Sequence, residues 1–400
     1  MNYCFIILNL LILSIHLSFA DSQLINSDYQ QFNSTSNSNV AVYWGQHSAA
    51  YSTDVYNNSI DTRSLSFYCS QQSIDIIILS FISNFPGTNY NPKIKLSSFE
   101  YSNTNDIRTC QQKFNKKILL SLGGEAGTYG FKDENESEEF GDILWKINKN
   151  KISSYQLQNK YPRPFGNVSI DGFDFDIENG QSTGYASLAN SLRKNFKTSK
   201  KKYYLSAAPE CPYPDNVLQE LIEKTELDFI FIQFYNNIQN CNADTKKFNW
   251  DTWLEYAKTI SPNKDVKLFL GLPASLDSAS NGYINDYSLL YKVITDSQAS
   301  EHFGGVMLWE ASDGFMNHDM NKEPYINVVK SILDENFRMK RKLWAMQTEF
   351  IMDIRTINQP PVPNSALFKS RNIYNYITFY QNCLLVIFMY LFFCIGFSLL

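Results

Sequence analysis

Eight short apolar runs, each five to ten residues long and rich in β-branched side chains, recur along this chain. Polar or amphipathic stretches long enough for a helix separate them. The runs are VAVYW (40–44), IDIIILSFI (74–82), KILLSLGG (117–124), SIDGFDFDIE (169–178), YYLSAAP (203–209), LDFIFIQFY (227–235), VKLFLGLPA (266–274) and GGVMLW (304–309). Strands buried on both faces read as continuous apolar runs, and helical crossovers separate parallel strands. One intervening stretch, Asn249 to Ile260, places Trp250, Trp253, Leu254, Tyr256 and Ala257 along one side of a helix. Eight strand–helix repeats over about 270–300 residues fit an α/β fold of the (β/α)8 TIM barrel type, as a single catalytic domain over 40–337. An open doubly wound sheet is the competitor. Against it, no run is followed by GxGxxG, and Gly123-Gly124 is too short for a phosphate loop.

Both ends of the 400-residue chain read as addresses rather than fold. Residues 5–15 (FIILNLLILSI) precede Ser18-Phe19-Ala20, the pattern of a signal peptide over 1–20, although its positive n-region is missing. Eleven apolar residues are short for a membrane anchor. Residues 21–39 are Ser/Asn-rich and predict a polar disordered lead-in. A linker is expected over 338–382, followed by an apolar tail over 383–400 with nothing basic after it. That tail suits a GPI signal, with Asn364-Ser365-Ala366 as candidate attachment site and a longer spacer than usual. A retained membrane segment is the alternative. The expected location is therefore secreted or cell-surface. Sequons at Asn33, Asn57, Asn135 and Asn167 agree with that route.

Forty acidic against 35 basic side chains exclude the basic stripe of a nucleic-acid binder. A mildly negative chain suits a neutral partner such as an uncharged sugar polymer. Aromatics make up 15% of the residues, which fits sugar stacking but equally an aromatic core.

The segment with chemistry in it is Asp171-Gly-Phe-Asp174-Phe-Asp176-Ile-Glu178. Strand side chains alternate, so Asp174, Asp176 and Glu178 share one face and Phe173, Phe175 and Ile177 the other. The aromatic face belongs under helices, which leaves the three acids in the barrel interior, climbing about 6–7 Å per step toward its C-terminal mouth. Three acids in one buried file cannot all ionise cheaply, so at least one is expected to hold a proton near neutral pH. Metal ligation would be another use of clustered carboxylates, but no His lies nearby and no calcium loop is present, so no metal or cofactor is expected. Glu178, last on its strand, sits where barrel active sites form and suits a general acid, its proton shared with Asp176.

The run DGFDFDIE has the DxxDxDxE form of glycoside hydrolase family 18, and its surroundings resemble the plant class III and yeast-type chitinases of that family. The resemblance spans roughly Val40 to Asn336. It includes AVYWGQ (41–46), SLGG (121–124), AAPECPYPD (207–215), QFYNN (233–237) and MLWEAS (307–312). It implies hydrolysis of β-1,4 links in chitin or chito-oligosaccharides by a monomer without a cofactor. The substrate's own acetamide would be the nucleophile, an exception to the two-carboxylate scheme. Glu178 would be the acid, Asp176 would orient the acetamide, Asp174 would supply or hold its proton, and Tyr235 would bond the acetamide oxygen with support from Gln233 and Asn236. Tyr43, Gln46, Phe81, Gly124 and Ala208 would surround the sugar, with Trp309 as its floor. Tyr43 and Phe81 could equally be core aromatics, and Gly124 could serve only its turn.

Four cysteines remain between the two apolar ends: Cys69, Cys110, Cys211 and Cys241. An even count in a secreted chain suggests two disulfides, in any of three pairings. The resemblance implies Cys69–Cys110 and Cys211–Cys241. A third bridge of the family has no counterpart, so the loop after strand two is expected to be looser. A glycan-binding lectin on the same barrel, a hydrolase of N-linked glycans and a cell-wall structural protein are the competing readings. Relatives that only bind have typically lost an acid; here Asp174, Asp176, Glu178 and Tyr235 are all present.

Overall fold

The computed structural model describes residues 31–46, 63–87, 93–94, 104–149 and 165–335. The chain separates into two units, Met1–Arg341 and Lys342–Leu400, and the second lies wholly outside the described residues. So do the expected signal peptide, the expected tail and most of the loop after the second strand.

Eight parallel strands close into a barrel: β1 (Asn39–Trp44), β2 (Ile76–Phe85), β3 (Lys117–Gly123), β4 (Gly172–Asp176), β5 (Tyr204–Ala207), β6 (Phe229–Gln233), β7 (Lys267–Pro273) and β8 (Phe303–Trp309). Each neighbour pairs with the next, and β1 closes the ring by pairing with both β2 (Tyr43 opposite Ile78) and β8 (Ala41 opposite Met307). Each strand is followed by a helix: α1 (Leu65–Cys69), α2 (Thr104–Gln112), α3 (Glu134–Lys149), α4 (Tyr185–Phe196), α5 (Gln219–Lys224), α6 (Trp250–Glu255), α7 (Tyr287–Gln298) and α8 (Ala311–Met316). The eight apolar runs are the eight strands. The segment 249–260 is helical as expected, Trp250, Trp253, Tyr256 and Ala257 being buried, but its last turn, Tyr256–Ile260, is a π-helix.

Strand alternation divides the apolar residues into two clusters. Phe173, Phe175 and Ile177 join the layer between strands and helices. A smaller cluster, including Ala41, Tyr43, Ile78, Leu119, Phe229, Phe231, Phe269 and Met307, fills the barrel. The interior is thus a packed core, as the small bore of an eight-stranded barrel requires.

The lead-in expected to be disordered over 21–39 is folded at its far end. Residues 31–38 run beneath the barrel, where Phe32 meets Tyr204 (5.8 Å between ring centroids) and Phe229 (6.4 Å) edge-on. The Lys117 ammonium lies 5.6 Å from the Phe32 ring centre. Polar composition predicted disorder because one aromatic among Ser and Asn carries little weight in an average, yet that ring has an apolar opening to fill. Asn33 adds a tight turn, its Oδ1 accepting from the Thr35 backbone N–H at 3.0 Å.

Candidate active site

At the C-terminal end of β4 the three acids line up as their spacing requires. Asp174, the deepest, is fully buried and accepts hydrogen bonds from three hydroxyls: Tyr43 Oη (2.8 Å), Ser121 Oγ (2.7 Å) and Ser206 Oγ (2.6 Å). Ser121 and Ser206 stand directly opposite Asp174 on the two flanking strands, β3 and β5. Burial pushes the Asp174 carboxyl up, and the three hydroxyl donors pull it part of the way back.

Asp176, one step higher, is also buried. Its carboxyl is held well above the ordinary range, first by burial and then by the charges of Glu178 and Asp174. It shares a hydrogen bond with Glu178, and the proton on Asp176 is the one this pairing favours. Glu178 lies just past the strand end, exposed at the mouth. Its carboxyl is raised too: crowding by protein is the largest cause, opposed by hydrogen bonds from Asp176 and Gln233 and reinforced by the charges of Glu125 and Glu210.

Gln233, last residue of β6, ties the upper two acids together. Its Nε2 lies 3.0 Å from Asp176 Oδ1, 3.2 Å from Glu178 Oε1 and 3.0 Å from the Ala208 carbonyl. Tyr235, two residues on, is buried, and burial followed by the charges of Asp176 and Glu178 holds its phenol well above the usual range. It stays a neutral donor aimed at no fixed acceptor among the described hydrogen bonds.

Trp309, partly exposed, ends β8 and forms the other wall. Its ring stacks on Phe81 at 5.9 Å and 20° and meets Tyr43 at 5.5 Å. Two non-proline cis peptides, Ser80–Phe81 and Trp309–Glu310, occur here. Gln46 enters from β1, its Nε2 donating to the Ser80 carbonyl at 2.6 Å.

Several of the expected substrate contacts are buried or bonded within the protein. Tyr43 is 1% exposed, and its hydroxyl donates to Asp174. Phe81 and Ala208 are likewise buried, under Trp309 and Gln233. Gly124 belongs to the turn: a Cβ there would sit 2.7 Å from the Phe81 ring at a φ of +85°, so only glycine fits. Asn236 does not support Tyr235 through its side-chain oxygen. It adopts a left-handed φ of 57°, which Asn tolerates, and its Oδ1 accepts from the backbone N–H groups of Ser280 (2.9 Å) and Asn281 (3.3 Å). Its role is to pin the loop after β7 to the loop after β6.

Sequence reasoning missed Ser121, Ser206 and Tyr129. The Tyr129 hydroxyl donates to the Gly124 carbonyl (2.7 Å) and accepts from the Glu178 backbone N–H (3.1 Å). The ring stacks on Phe85 at 5.0 Å. The serines carried a signal, being hydroxyls at interior positions of apolar strands; Tyr129 lies in an irregular stretch and carried none. Both expected disulfides are present, Cys69–Cys110 with Cα atoms 5.1 Å apart and Cys211–Cys241 with 5.8 Å. The second joins the loops after β5 and β6.

The arrangement can therefore hold a proton at a barrel mouth, between a partly exposed indole and two raised carboxyls, and offer a neutral phenol beside it. Comparisons with known proteins agree. The profile of Glycosyl hydrolases family 18 matches residues 39–286. An endochitinase of Saccharomyces cerevisiae is 43% identical over 332 residues, 80% of this chain and 54% of that one. The chain thus spans about half the length of that relative. Among solved structures, the ICChI chitinase of Ipomoea carnea is 29% identical with a TM-score of 0.60, covering 74% of this chain and 99% of its own. A xylanase and alpha-amylase inhibitor protein from Scadoxus multiflorus is 31% identical with a TM-score of 0.58, covering 75% and 97%. With its barrel, its file of acids and a profile match across most of the folded region, this chain belongs to family 18 of the glycosyl hydrolases.

Proposed function

We propose that the chain is an endo-acting chitinase that cleaves β-1,4 linkages between N-acetylglucosamine units with retention, the substrate's acetamide serving as nucleophile. The observation that carries this reading is the proton-sharing pair Asp176–Glu178, bridged by Gln233 and seated on the hydroxyl-saturated Asp174. Asp176 gives the shared proton up to Glu178, which passes it to the glycosidic oxygen as the bond from that oxygen to the anomeric carbon breaks. The acetamide carbonyl oxygen closes onto the same carbon and forms an oxazolinium ion. Asp176 turns from Glu178 to accept the acetamide N–H, and the Tyr235 hydroxyl donates to the acetamide oxygen. Water then adds to the anomeric carbon and returns a proton to Glu178, so two inversions give net retention. Trp309 offers the apolar face against which the reacting ring lies.

A neighbour named as an inhibitor shares the barrel, so fold alone does not separate hydrolysis from binding. The complete set of acids favours hydrolysis over a lectin. Cleavage of N-linked glycans is the second enzymatic reading, which the same acids would serve. The test is fluorophore release from a chitotriose-type substrate by the full-length protein and its Glu178→Gln variant. Loss of about 10²–10⁴-fold or more in kcat, with folding intact, is expected from removing a general acid. No release by folded wild type, with release from an N-glycan instead, would overturn the substrate assignment.

Secretion and a cell-surface role in wall remodelling or chitin breakdown belong to the same proposal, resting on the sequons, the N-terminal apolar run and the apolar tail. Activity released from cells by a phospholipase that cuts GPI anchors would support surface attachment. Activity found wholly in the medium would remove it.

A further inference from the structure

Glu178 is not alone at the mouth. In the β3–β4 register Gly123 lies opposite Asp176, and Glu125 follows two residues on, just past the turn made by Gly123 (φ +119°) and Gly124 (φ +85°). In the β4–β5 register Phe175 lies opposite Ala207, and Glu210 follows three residues beyond Ala207 on the other side of the mouth. The two glutamates thus follow the strands that flank β4, at the same mouth as Glu178. The backbone holds both flanks in place. The Gly124 N–H donates to the Asp176 carbonyl at 2.7 Å, immediately before Glu125. On the other side the Glu210 N–H donates to Asp215 Oδ2 at 3.0 Å, and the same aspartate accepts from Val217 and Leu218. Glu210 also forms an isolated bridge with Gln233, whose side chain reaches Glu178.

Both flanking residues are exposed. None of the ion pairs among the described residues involves either of them. The remaining groups facing Glu178 are Asp176 and Gln233, which hydrogen-bond it, the Tyr129 hydroxyl at its backbone N–H, and the neutral phenol of Tyr235.

We infer that Glu125 and Glu210 are positioning residues for the reaction, acting through Glu178 as an electrostatic flank that disfavours loss of its proton. This rests on the reading of Glu178 as the acid. Two negative charges beside a carboxyl raise the cost of ionising it, so the form able to protonate the glycosidic oxygen persists to higher pH. Both charges lie near solvent, so each contribution is modest and screened by salt.

The experiment is the pH profile of kcat/KM for the full-length protein and its Glu125→Gln, Glu210→Gln and double variants, at low and at high salt. Each single variant is expected to move the alkaline limb down by about half a pH unit at low salt, the double by roughly the sum. At 1 M salt most of that difference should vanish, because screening then acts within about 3 Å. Glu210→Asp should restore most of the limb, which a merely structural loss would not. The two single variants are independent, so misfolding of one leaves the other to decide. Limbs that coincide with wild type at low salt, or shifts indifferent to salt, would overturn the inference. Glu178→Gln measured alongside separates the two failures: full activity in that variant refutes the acid assignment itself, whereas an inactive Glu178→Gln beside unmoved limbs refutes only the flank.

Discussion

At Asp176 burial and function pull in opposite directions. Its carboxyl is raised well above the ordinary range by burial, then by Glu178 and Asp174, so the folded chain binds a proton that the unfolded chain releases near pH 4. Stability falls with pH wherever the native state holds more protons than the unfolded one. This contribution is therefore complete below the unfolded value and is lost as pH rises toward the folded one, at about 1.4 kcal/mol per pH unit across that interval. Asn cannot ionise, keeps the oxygen that accepts from Gln233, and can donate to Glu178 as the protonated acid does. Asp176→Asn should thus lose hydrolysis yet gain in melting temperature relative to wild type as pH goes from 4 to 8. Calorimetry at the two values checks it; a difference that stays flat with pH would show that Asp176 does not carry the stored cost. The acids were legible because three carboxylates at alternate positions of an apolar run have no bland explanation. Ser121 and Ser206 were less so. A hydroxyl inside a strand is common, and only the register that sets both opposite Asp174 reveals their purpose.

Among elements, the strands were legible and the connections were not. A strand buried on both faces announces itself as an apolar run, but the ends of that run mark composition rather than hydrogen bonding. The run 169–178 accordingly shortens to Gly172–Asp176. Connections answer to contacts made elsewhere: Tyr129 is placed by a short pairing with β2 and by Phe85, and Asn236 by a loop some 45 residues later. The Cys211–Cys241 bridge belongs to this class. It closes 30 residues of sequence between the loops after β5 and β6, and the Cys211 carbonyl accepts from Trp253 Nε1 (3.0 Å) and Asn249 Nδ2 (2.9 Å), which docks α6 beside it. Tyr235 and Gln233 lie within the bridged segment. Replacing both cysteines by Ala should cost about 3–4 kcal/mol by loop-closure entropy. It should also lower kcat/KM at temperatures where the protein stays folded. Removing Cys69–Cys110, which joins α1 to α2, should cost comparable stability without that loss of rate. Denaturant melts paired with kinetics on the two double variants decide between this view and a purely structural role for both bridges.

Across the whole barrel, stability and chemistry occupy opposite ends. The floor is closed by Phe32 against Tyr204 and Phe229, Tyr204 standing opposite Gly172, two residues before Asp174, with Lys117 and Lys202 over the aromatic rings. The mouth holds the raised carboxyls and an indole left partly open to solvent. Barrel enzymes tolerate this division because loops at the C-terminal ends can carry costly arrangements while the other end contributes packing alone. Phe32→Ala should lower stability by about 1–3 kcal/mol, the half-buried ring giving less than a fully buried one. Its kcat/KM at 25 °C should stay within twofold of wild type. Trp309→Ala should do the reverse: the indole covers Phe81 and Tyr43 but is itself partly exposed, so truncation removes a face for the sugar more than it removes core. A drop in kcat/KM of at least tenfold with a smaller fall in melting temperature than Phe32→Ala is expected, read from parallel thermal melts and chitotriose kinetics. If Phe32→Ala instead slows the reaction as much as Trp309→Ala does, the two ends are mechanically coupled through the aromatic column of Tyr204, Phe229 and Phe231, and the floor takes part in aligning the acids.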